Sequence, residues 1–230
     1  MGLVLPFKKK PKLKTSSEKL VGLLKYHQID LVLDVGANEG QYAKDIIDHG
    51  YVGDIISFEP LEHVHSSLQN NAKPHKNWHV APVMAMGAES GQTKINVSQR
   101  SDMSSILEIK PSTLEALSNS EYTETNIVDV KAFDDIAKEY LKPSQNAFLK
   151  VDTQGFEMNV LRGAEKSLHS LKGIQLELSL LPLYEGESLF HEITSWLYER
   201  GFESHLVIPG YFSKKLMRQM QVDIVYFKAV

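Results

Sequence analysis

Apolar and polar positions alternate along the chain in the pattern of a layered α/β protein. Short apolar runs, which predict buried strands, are separated by segments with the spacing of amphipathic helices. The predicted strands are 29–35, 54–58, 78–84, 147–152 and 174–180, and the predicted helices are 39–49, 61–71, 134–141, 156–171 and 188–200. This alternation favours a parallel sheet with right-handed crossovers and helices on both faces.

Both ends of the chain depart from this alternation. Thr15 and Glu18 have the spacing of a capping box, which predicts that a helix begins there. Near the other end, two apolar runs at 203–208 and 222–227 have no clear helix between them. We therefore expect the chain to end in an antiparallel hairpin.

The middle of the chain is less regular. Strands are predicted at 91–98 and 126–130, and the polar stretch 99–125 lies between them, with a helix near 112–119. A long interruption of this kind is often a functional loop or lid. A peripheral insertion without a role in the site is the alternative, and the sequence leaves both open.

Composition narrows the class of protein. The 230 residues include no cysteine, which excludes disulfide scaffolds, thiolate metal sites and cysteine nucleophiles. The length fits one α/β domain, assigned here to 15–230 after an N-terminal tail at 1–14. No apolar run approaches the roughly 18 residues of a membrane helix. The absence of cysteine suits a reducing compartment, so we expect a cytoplasmic protein.

Charge is unevenly distributed. Five lysines and no acid occur in the tail, namely Lys8, Lys9, Lys10, Lys12 and Lys14. Residues 15–230 hold 20 basic and 29 acidic residues, a net charge of −9. Because a nucleic-acid-binding protein usually has a basic body, we expect no nucleic-acid partner. The tail is either solvated or in peripheral contact with an anionic membrane, where each lysine would add about 1 kcal/mol.

A glycine-rich turn, Asp34-Val-Gly-Ala-Asn-Glu-Gly40, follows the first predicted strand. In a doubly wound sheet a tight turn at this place lets a ligand approach the backbone. Gly36 and Gly40 have no Cβ, and Asn38 tolerates left-handed backbone angles. The spacing differs from the dinucleotide fingerprint G-x-G-x-x-G. Asp34, an acid at the end of a buried strand, either pairs with a ligand amine or caps the helix.

Glu59 ends the second predicted strand, 25 residues after Asp34. In such sheets an acid at this place commonly binds ribose hydroxyls through its two oxygens. Taken alone, Glu59 would more often be an ordinary acid at a strand end. Together with the glycine turn it indicates a nucleoside ligand.

A third segment, Lys150-Val-Asp-Thr-Gln-Gly-Phe-Glu157, joins a central strand to its helix. Lys150 and Asp152 share one face of the strand, and charges in a buried strand are costly unless they are paired. If the strand that carries Glu177 is the neighbour, Lys150 is expected to meet Glu177. A purely structural ion-pair cluster is the alternative. Asp152, Glu157 and Glu177 could also bind a magnesium-type ion, although three scattered acids do not favour it.

These three segments, with Phe58-Glu-Pro60 in the second, resemble the signature segments of FkbM-type methyltransferases, which are class I enzymes that use S-adenosylmethionine (SAM). The resemblance covers residues 29–228 in the expected order. It implies a Rossmann-like sheet of about seven strands, mostly parallel, with a final antiparallel hairpin.

The resemblance also implies roles for individual residues. Those implied to line the methionine end of SAM are Asp34, Gly36, Asn38 and Gly40. Glu59 would hold the ribose, and Asp152 would lie beside the transferable methyl group. Ser104 and Ser105 resemble a serine pair in the family's insertion and are weaker cofactor-site candidates.

The family implies O-methylation of a sugar, a glycolipid or a secondary metabolite. In in-line methyl transfer the cofactor supplies the activated methyl group, and the protein mainly aligns the reactants and provides a suitable electrostatic environment. Asp152 is the expected catalytic residue that orients or deprotonates the acceptor hydroxyl, supported by Lys150 and Glu177. Tyr184 either stacks on a sugar ring or is a buried loop aromatic. His191 and His205 are alternative bases, although surface positions are more typical of such histidines.

Three competing functions remain open at this point. A nicotinamide-dependent oxidoreductase could use a related sheet, but the fingerprint G-x-G-x-x-G is missing. A metal-assisted O-methyltransferase would use the acids around Asp152 as ligands. A non-catalytic scaffold or glycan-binding domain would keep the fold and lose turnover.

Overall fold

The computed structural model describes residues 14–116 and 121–229, and the chain forms strands and helices along most of them. The strands are β1 (Leu31–Val35), β2 (Asp54–Phe58), β3 (Trp78–Val80), β4 (Ala85–Met86), β5 (Gly91–Ser98), β6 (Tyr122–Lys131), β7 (Ala147–Val151), β8 (Leu171–Ser179), β9 (Phe202–Pro209), β10 (Phe212–Ser213), β11 (Arg218–Gln219) and β12 (Gln221–Lys228). The helices are α1 (Ser16–Tyr26), α2 (Gln41–Asp48), α3 (Glu62–Ala72), α4 (Pro111–Ala116), α5 (Phe133–Tyr140), α6 (Glu157–Gly163) and α7 (Phe190–Tyr198), with 3₁₀ turns at Ser101–Met103 and Leu168–Ser170. The basic tail up to residue 13 and the end of the helix predicted near 112–119 lie outside the described residues.

Seven strands form the central sheet, in the order β3-β2-β1-β7-β8-β12-β9. The first five of these pair in parallel, and β12 is antiparallel to both of its neighbours. The predicted parallel sheet and its terminal antiparallel hairpin are therefore confirmed.

Side-chain alternation along the central strands divides the core into two layers. In β1, Leu31, Leu33 and Val35 pack with α5, α6 and α7 on one face of the sheet. Val32 packs on the other face with α1, α2 and α3. Because strand side chains alternate, Asp34 faces the same layer as Val32. The expectation of helices on both faces is confirmed, and a charged residue lies within one of the two apolar layers.

Two predicted elements are shorter than expected. The strand predicted at 78–84 ends at Val80, and Ala85–Met86 instead forms β4 in a separate sheet. Pro82 explains the break, since it has no N–H to donate to a continuing ladder. The helix predicted at 156–171 ends at Gly163. Beyond it, the Asp134 carboxylate accepts from the backbone N–H groups of 166 and 167.

The irregular middle of the chain forms a small sheet in the order β4-β6-β5. It packs on α3 through an apolar cluster that includes Val64, Ile95 and Val128. The insertion between β5 and β6 is tied to this sheet by a bridge from Asn96 to Ser105. A second bridge, from Ile109 to Tyr184, ties it to the loop after β8. The insertion therefore lies at the carboxyl edge of the central sheet.

No helix within residues 14–116 and 121–229 combines the length and the apolar character needed to cross a bilayer.

Gly36 is required where β1 and β7 end side by side. It has φ +73°, and a Cβ at this position would overlap the carbonyl oxygen of Asp152. We expect Gly36→Ala to lower the free energy of unfolding by about 3 kcal/mol, combining a left-handed backbone penalty with overpacking. Gly186→Ala is the matched control, because Gly186 has φ +74° and a Cβ added there would meet no atom within 4 Å. It should cost only about 1 kcal/mol in urea unfolding. Equal losses in the two variants would contradict the packing argument.

Candidate functional site

A cavity of about 430 Å³ opens at the carboxyl edge of the central sheet. The chain runs from β1 outward to β2 and β3, and later returns to β7 on the other side of β1. Open α/β sheets bind ligands at such a switch point, because the loops after the two central strands leave in opposite directions. The cavity also has the size of known ligand pockets, which span about 300–1,000 Å³.

The glycine turn forms one side of this cavity. The backbone N–H groups of Gly36 and Ala37 both donate to the carbonyl oxygen of Phe58, at 3.1 and 3.0 Å. Asn38 has φ +48°, as its tolerance of left-handed angles allows. Gly40 caps α2 with φ +91°. The turn is therefore held against the end of β2 by its own backbone.

Glu59 fastens this turn to the second strand. Its Oε2 accepts from the backbone N–H of Asn38 at 2.9 Å, and its Oε1 accepts from that of Leu61 at 3.0 Å. Burial raises the pKa of Glu59 to about 7, although both N–H donors oppose the shift. A carboxylate oxygen can accept a second hydrogen bond, so Glu59 can also accept from ligand hydroxyls.

Lys150 is a buried cation at the switch point. Its Nζ lies 3.4 Å from Asp34 Oδ1 and 3.5 Å from Asp152 Oδ2, and its side chain is 7% exposed. Asp34 is fully buried and also accepts from Ser57 Oγ at 3.1 Å. Burial alone would lower the pKa of Lys150, but the carboxylates of Asp152 and Asp34 outweigh it and raise that pKa above its usual value.

The prediction that Lys150 contacts Glu177 is wrong. β7 and β8 are neighbours as predicted, but Lys150 pairs in register with Gln175. Glu177 lies two residues farther along β8, about 6.6 Å beyond it at the usual strand rise. One extra residue in β8 opposite the start of β7 sets this register.

Glu177 instead belongs to a network of amides around Asp152. Gln154 Nε2 donates to Asp152 Oδ1 at 2.9 Å and to Glu177 Oε2 at 2.6 Å. Gln221 Nε2 also donates to Glu177 Oε2, at 2.8 Å. Burial, and next the Asp152 carboxylate, raise the pKa of Glu177 well above its usual value. Asp152 lies beside this network, and its side chain is 32% exposed at the cavity.

Tyr184 and the two candidate histidines lie away from the cavity wall. Tyr184 is 1% exposed, and its OH donates to Gln154 Oε1 at 2.8 Å. Of the two interpretations of Tyr184, the structure therefore supports the buried loop aromatic. Its hydroxyl group positions Gln154. His191 and His205 are both exposed, so neither is placed to act as the base.

The Glu157 carboxylate serves the turn before α6. Its Oε1 accepts from the backbone N–H groups of Thr153 and Gly155 at 2.8 and 3.2 Å. Burial raises its pKa to about 7. Within the described part of the chain, no three His, Asp or Glu side chains are grouped as metal ligands. The set Asp152, Glu157 and Glu177 is therefore not assembled around one point.

The insertion supplies part of the cavity wall, which supports the functional-loop interpretation. Ser105 Oγ donates to the carbonyl oxygen of Gln154 at 2.6 Å, and Ser104 Oγ accepts from the backbone N–H of Ser98 at 3.1 Å. Ser101 Oγ donates to Asn38 Oδ1 at 3.0 Å. The insertion is thus joined to the turns after both β1 and β7.

Three further residues of the wall, Tyr42, Gln175 and Asp223, were not predicted from the sequence. Gln175 accepts from Tyr42 OH at 3.2 Å through Oε1 and donates to Asp223 Oδ1 at 3.1 Å through Nε2. Burial, and next the Asp152 carboxylate, raise the pKa of Asp223 to about 6. The sequence does contain a signal for Asp223, because it is the one acid in the apolar run 222–227. The sequence contains no such signal for Tyr42, since it has the spacing of an ordinary helix residue.

The structure brings most of the predicted site residues to one cavity. Those that line it are Gly36, Asn38, Glu59, Ser104, Ser105, Lys150 and Asp152. Asp34, Gly40 and Glu177 do not line it. Asp34 acts on the wall through Lys150, Glu177 through Gln154, and Gly40 by beginning α2.

Comparison with known proteins identifies the family and supports the fold. Residues 34–204 match the model of a family described as the methyltransferase FkbM domain. A putative O-methyltransferase from Klebsiella pneumoniae has a TM-score of 0.53 and 10% identity, covering 96% of this chain and 84% of that chain. An rRNA methylase from Streptococcus thermophilus has a TM-score of 0.51 and 9% identity, covering 96% and 100%. At these identities the likeness shows the fold alone. A search of curated proteins finds no match.

The cavity fits SAM by the chemistry of its wall. Glu59 offers acceptor oxygens for ribose hydroxyls. Beside it lies a turn in which Gly36, Asn38 and Gly40 have left-handed backbone angles and the two glycines have no Cβ to block a ligand. Met84, Met86 and Phe156 supply apolar surface for a heterocycle. Carboxylates outnumber cations on the wall, which suits a ligand with a sulfonium and an ammonium group.

Removing the buried cation should be costly. We expect Lys150→Met to lower the free energy of unfolding by about 3–5 kcal/mol at neutral pH, since it leaves Asp34 buried and unpaired. The loss should shrink as pH falls, because a carboxyl group with a raised pKa is neutral in the folded state at low pH.

Two variants test the cause of this loss in urea unfolding. The double variant Asp34→Asn/Lys150→Met should recover much of the lost stability. Lys110→Met removes a partly exposed ion pair with Glu185 and should cost under about 1 kcal/mol. A loss that persists unchanged in the double variant would contradict the ion-pair explanation.

Glu59 should control cofactor affinity. We expect Glu59→Ala to weaken SAM binding by about 1–3 kcal/mol in calorimetry, the cost of losing hydrogen bonds to a charged group. Affinity should rise as pH passes upward through about 7, where Glu59 ionises, and Glu59→Gln should lack that part of the rise. Glu62→Ala, at an exposed position of α3, is the control. Equal binding by all variants would refute the assignment.

Proposed function

Because the chain belongs to the FkbM family of methyltransferases, we propose that it methylates a hydroxyl group of a small acceptor. The acceptor classes that we favour are a sugar, a glycolipid or a secondary metabolite. The cofactor is SAM, which when bound supplies a methyl group activated by the sulfonium charge. This family membership sets aside the nicotinamide-dependent alternative.

The Asp152 carboxylate carries the proposal. It follows directly from β7 at the switch point, and its backbone N–H donates to the carbonyl oxygen of Val35 at 3.1 Å. Lys150 and Gln154 hold its two oxygens, one each. A carboxylate fixed on both sides and still partly exposed to the cavity can orient an acceptor hydroxyl and take up its proton.

Lys150 and Glu177 act through Asp152 in this proposal. Lys150 places its ammonium group 3.5 Å from Asp152 Oδ2 and so orients that carboxylate, and its own position is set by Asp34. Glu177 shares Gln154 with Asp152, which fixes the amide so that it donates to both carboxyl groups. Both residues are therefore positioning residues, and Asp152 is the residue that faces the acceptor.

The charge of the cavity favours a small acceptor over RNA. The acidic residues of the described wall are Asp45, Glu59, Asp102, Asp152 and Asp223, and its basic residue is Lys150. A polyphosphate backbone requires cations along its path, and it would be repelled by this wall. RNA is nevertheless the specific alternative to test, since one similar structure is an rRNA methylase.

The experiment measures S-adenosylhomocysteine formation with a panel of methyl glycosides and phenols, and with a short RNA transcript. We expect turnover with a hydroxylated small molecule and none with RNA. Turnover only with RNA would overturn the proposed acceptor class. SAM binding without turnover on any acceptor would favour the scaffold alternative.

With an active acceptor, Asp152→Asn should lower kcat by about 10²-fold or more, the usual contribution of a positioned acid or base. The dissociation constant of SAM should change much less, because Asn keeps the shape and one acceptor oxygen. Asp48→Asn, at an exposed position of α2, is the control for a lost surface charge. A normal kcat in Asp152→Asn would refute the assigned role.

A further inference from the structure

The turn that joins β9 to β12 projects beyond the catalytic edge of the sheet. β12 begins at Gln221, opposite Ser179 at the carboxyl end of β8, and Pro209 of β9 pairs with Val222. Ile208 and Asp223, just before and after the projection, line the cavity. We call residues 210–220 the hairpin tip. It lies at the edge where the cavity opens.

Apolar side chains of the hairpin tip are exposed to solvent. Phe212 is 44% exposed, Leu216 49% and Met217 76%. Met217 also has φ +48°, an unfavourable backbone conformation for a residue with a Cβ. A strained turn that presents an apolar side chain to water points to a function for that turn.

The charge of this region differs from that of the remaining chain. Residues 204–222 contain no acid, whereas 15–230 as a whole carry a net charge of −9. Lys214, Lys215 and Arg218 are exposed and alternate with the apolar side chains. Basic residues that surround exposed apolar ones match an anionic lipid surface, with headgroups for the cations and acyl chains for the apolar groups.

The hairpin tip is held in shape from within. β10 and β11 pair with each other, and Ser213 Oγ accepts from the backbone N–H of Leu216 at 3.2 Å. Gln219 Nε2 donates to the carbonyl oxygens of Tyr211 and Gln221 at 3.1 and 2.7 Å. Below it, Tyr211 and Met220 pack in an apolar cluster with the insertion. A preorganised projection loses little conformational freedom on docking.

We propose that the hairpin tip is a membrane-docking surface that inserts Phe212, Leu216 and Met217 into an anionic bilayer. The mouth of the cavity would then face the lipid headgroups. Docking does not depend on methyl transfer, so either proposal can fail without the other.

Co-sedimentation of the full chain with lipid vesicles tests the proposal. We expect binding to phosphatidylcholine vesicles that contain roughly one third phosphatidylglycerol, and weaker binding to phosphatidylcholine alone. The variant Phe212→Ser/Leu216→Ser/Met217→Ser should bind the anionic vesicles at least tenfold more weakly. Its melting temperature should stay near that of the wild type, because the three side chains are exposed. Val52→Ser/Ile127→Ser, at positions 85% and 63% exposed elsewhere, should bind like the wild type.

A fluorescent label reports insertion directly. The chain has no cysteine, so Leu216→Cys and Val52→Cys each give one site for an environment-sensitive dye. We expect a blue shift on anionic vesicles for the label at 216 and none for the label at 52.

Three results would overturn the proposal. The first is wild-type protein that does not bind anionic vesicles. The second is a triple variant that binds as tightly as the wild type, which would assign binding to another segment such as the lysine tail. The third is a dimer in solution that the same triple variant abolishes, without vesicle binding, which would make the hairpin tip a contact between copies of the chain.

Discussion

The ion pair between Lys150 and Asp34 is the constraint on which the site depends. The two residues are register partners on the central strands β1 and β7, and both face an apolar layer of the core. A buried charge is tolerated only with a partner, so this pairing fixes how the two strands align. A slip of one residue would turn Asp34 to the opposite face and take from Lys150 its fully buried partner. The same register brings Gly36 against the backbone of Asp152, and so the ion pair also positions the two turns that form the cavity.

A single buried cation cannot neutralise the acids that gather at this edge. Lys150 lies near Asp34 and Asp152, whereas Glu177 and Asp223 are satisfied by glutamine side chains. Burial and mutual repulsion raise the pKa values of both of these acids. Such a concentration of desolvated carboxylates works against stability, and sites of this kind are typically functional. The amides let the carboxyl groups stay close together while Asp152 remains available to the cavity.

Much of this arrangement could be predicted from the sequence, because it depends on chain order. Strand ends marked by Asp34, Glu59 and Asp152 had to meet at one edge of a parallel sheet, and they do. The partner of Lys150 could not be predicted, because strand alternation gives the face of a residue and not its register with each neighbour. Lys150 lies opposite Asp34 on β1, and on β8 it lies opposite Gln175, two residues before Glu177. Asp223 was missed for a related reason, because its strand is antiparallel and comes from the end of the chain. The pairing of distant strands decides which isolated polar residues become neighbours.

The antiparallel last strand has two effects that no parallel strand could combine. Because β12 starts at the carboxyl edge, its second and third residues lie beside the end of β8, which brings Asp223 into the cavity wall. For the same reason, the turn before it must project outward from that edge. A parallel strand would begin at the opposite edge and place its preceding loop far from the site. One reversal of strand direction therefore supplies an acid to the cavity and places a basic, apolar hairpin tip beside its mouth.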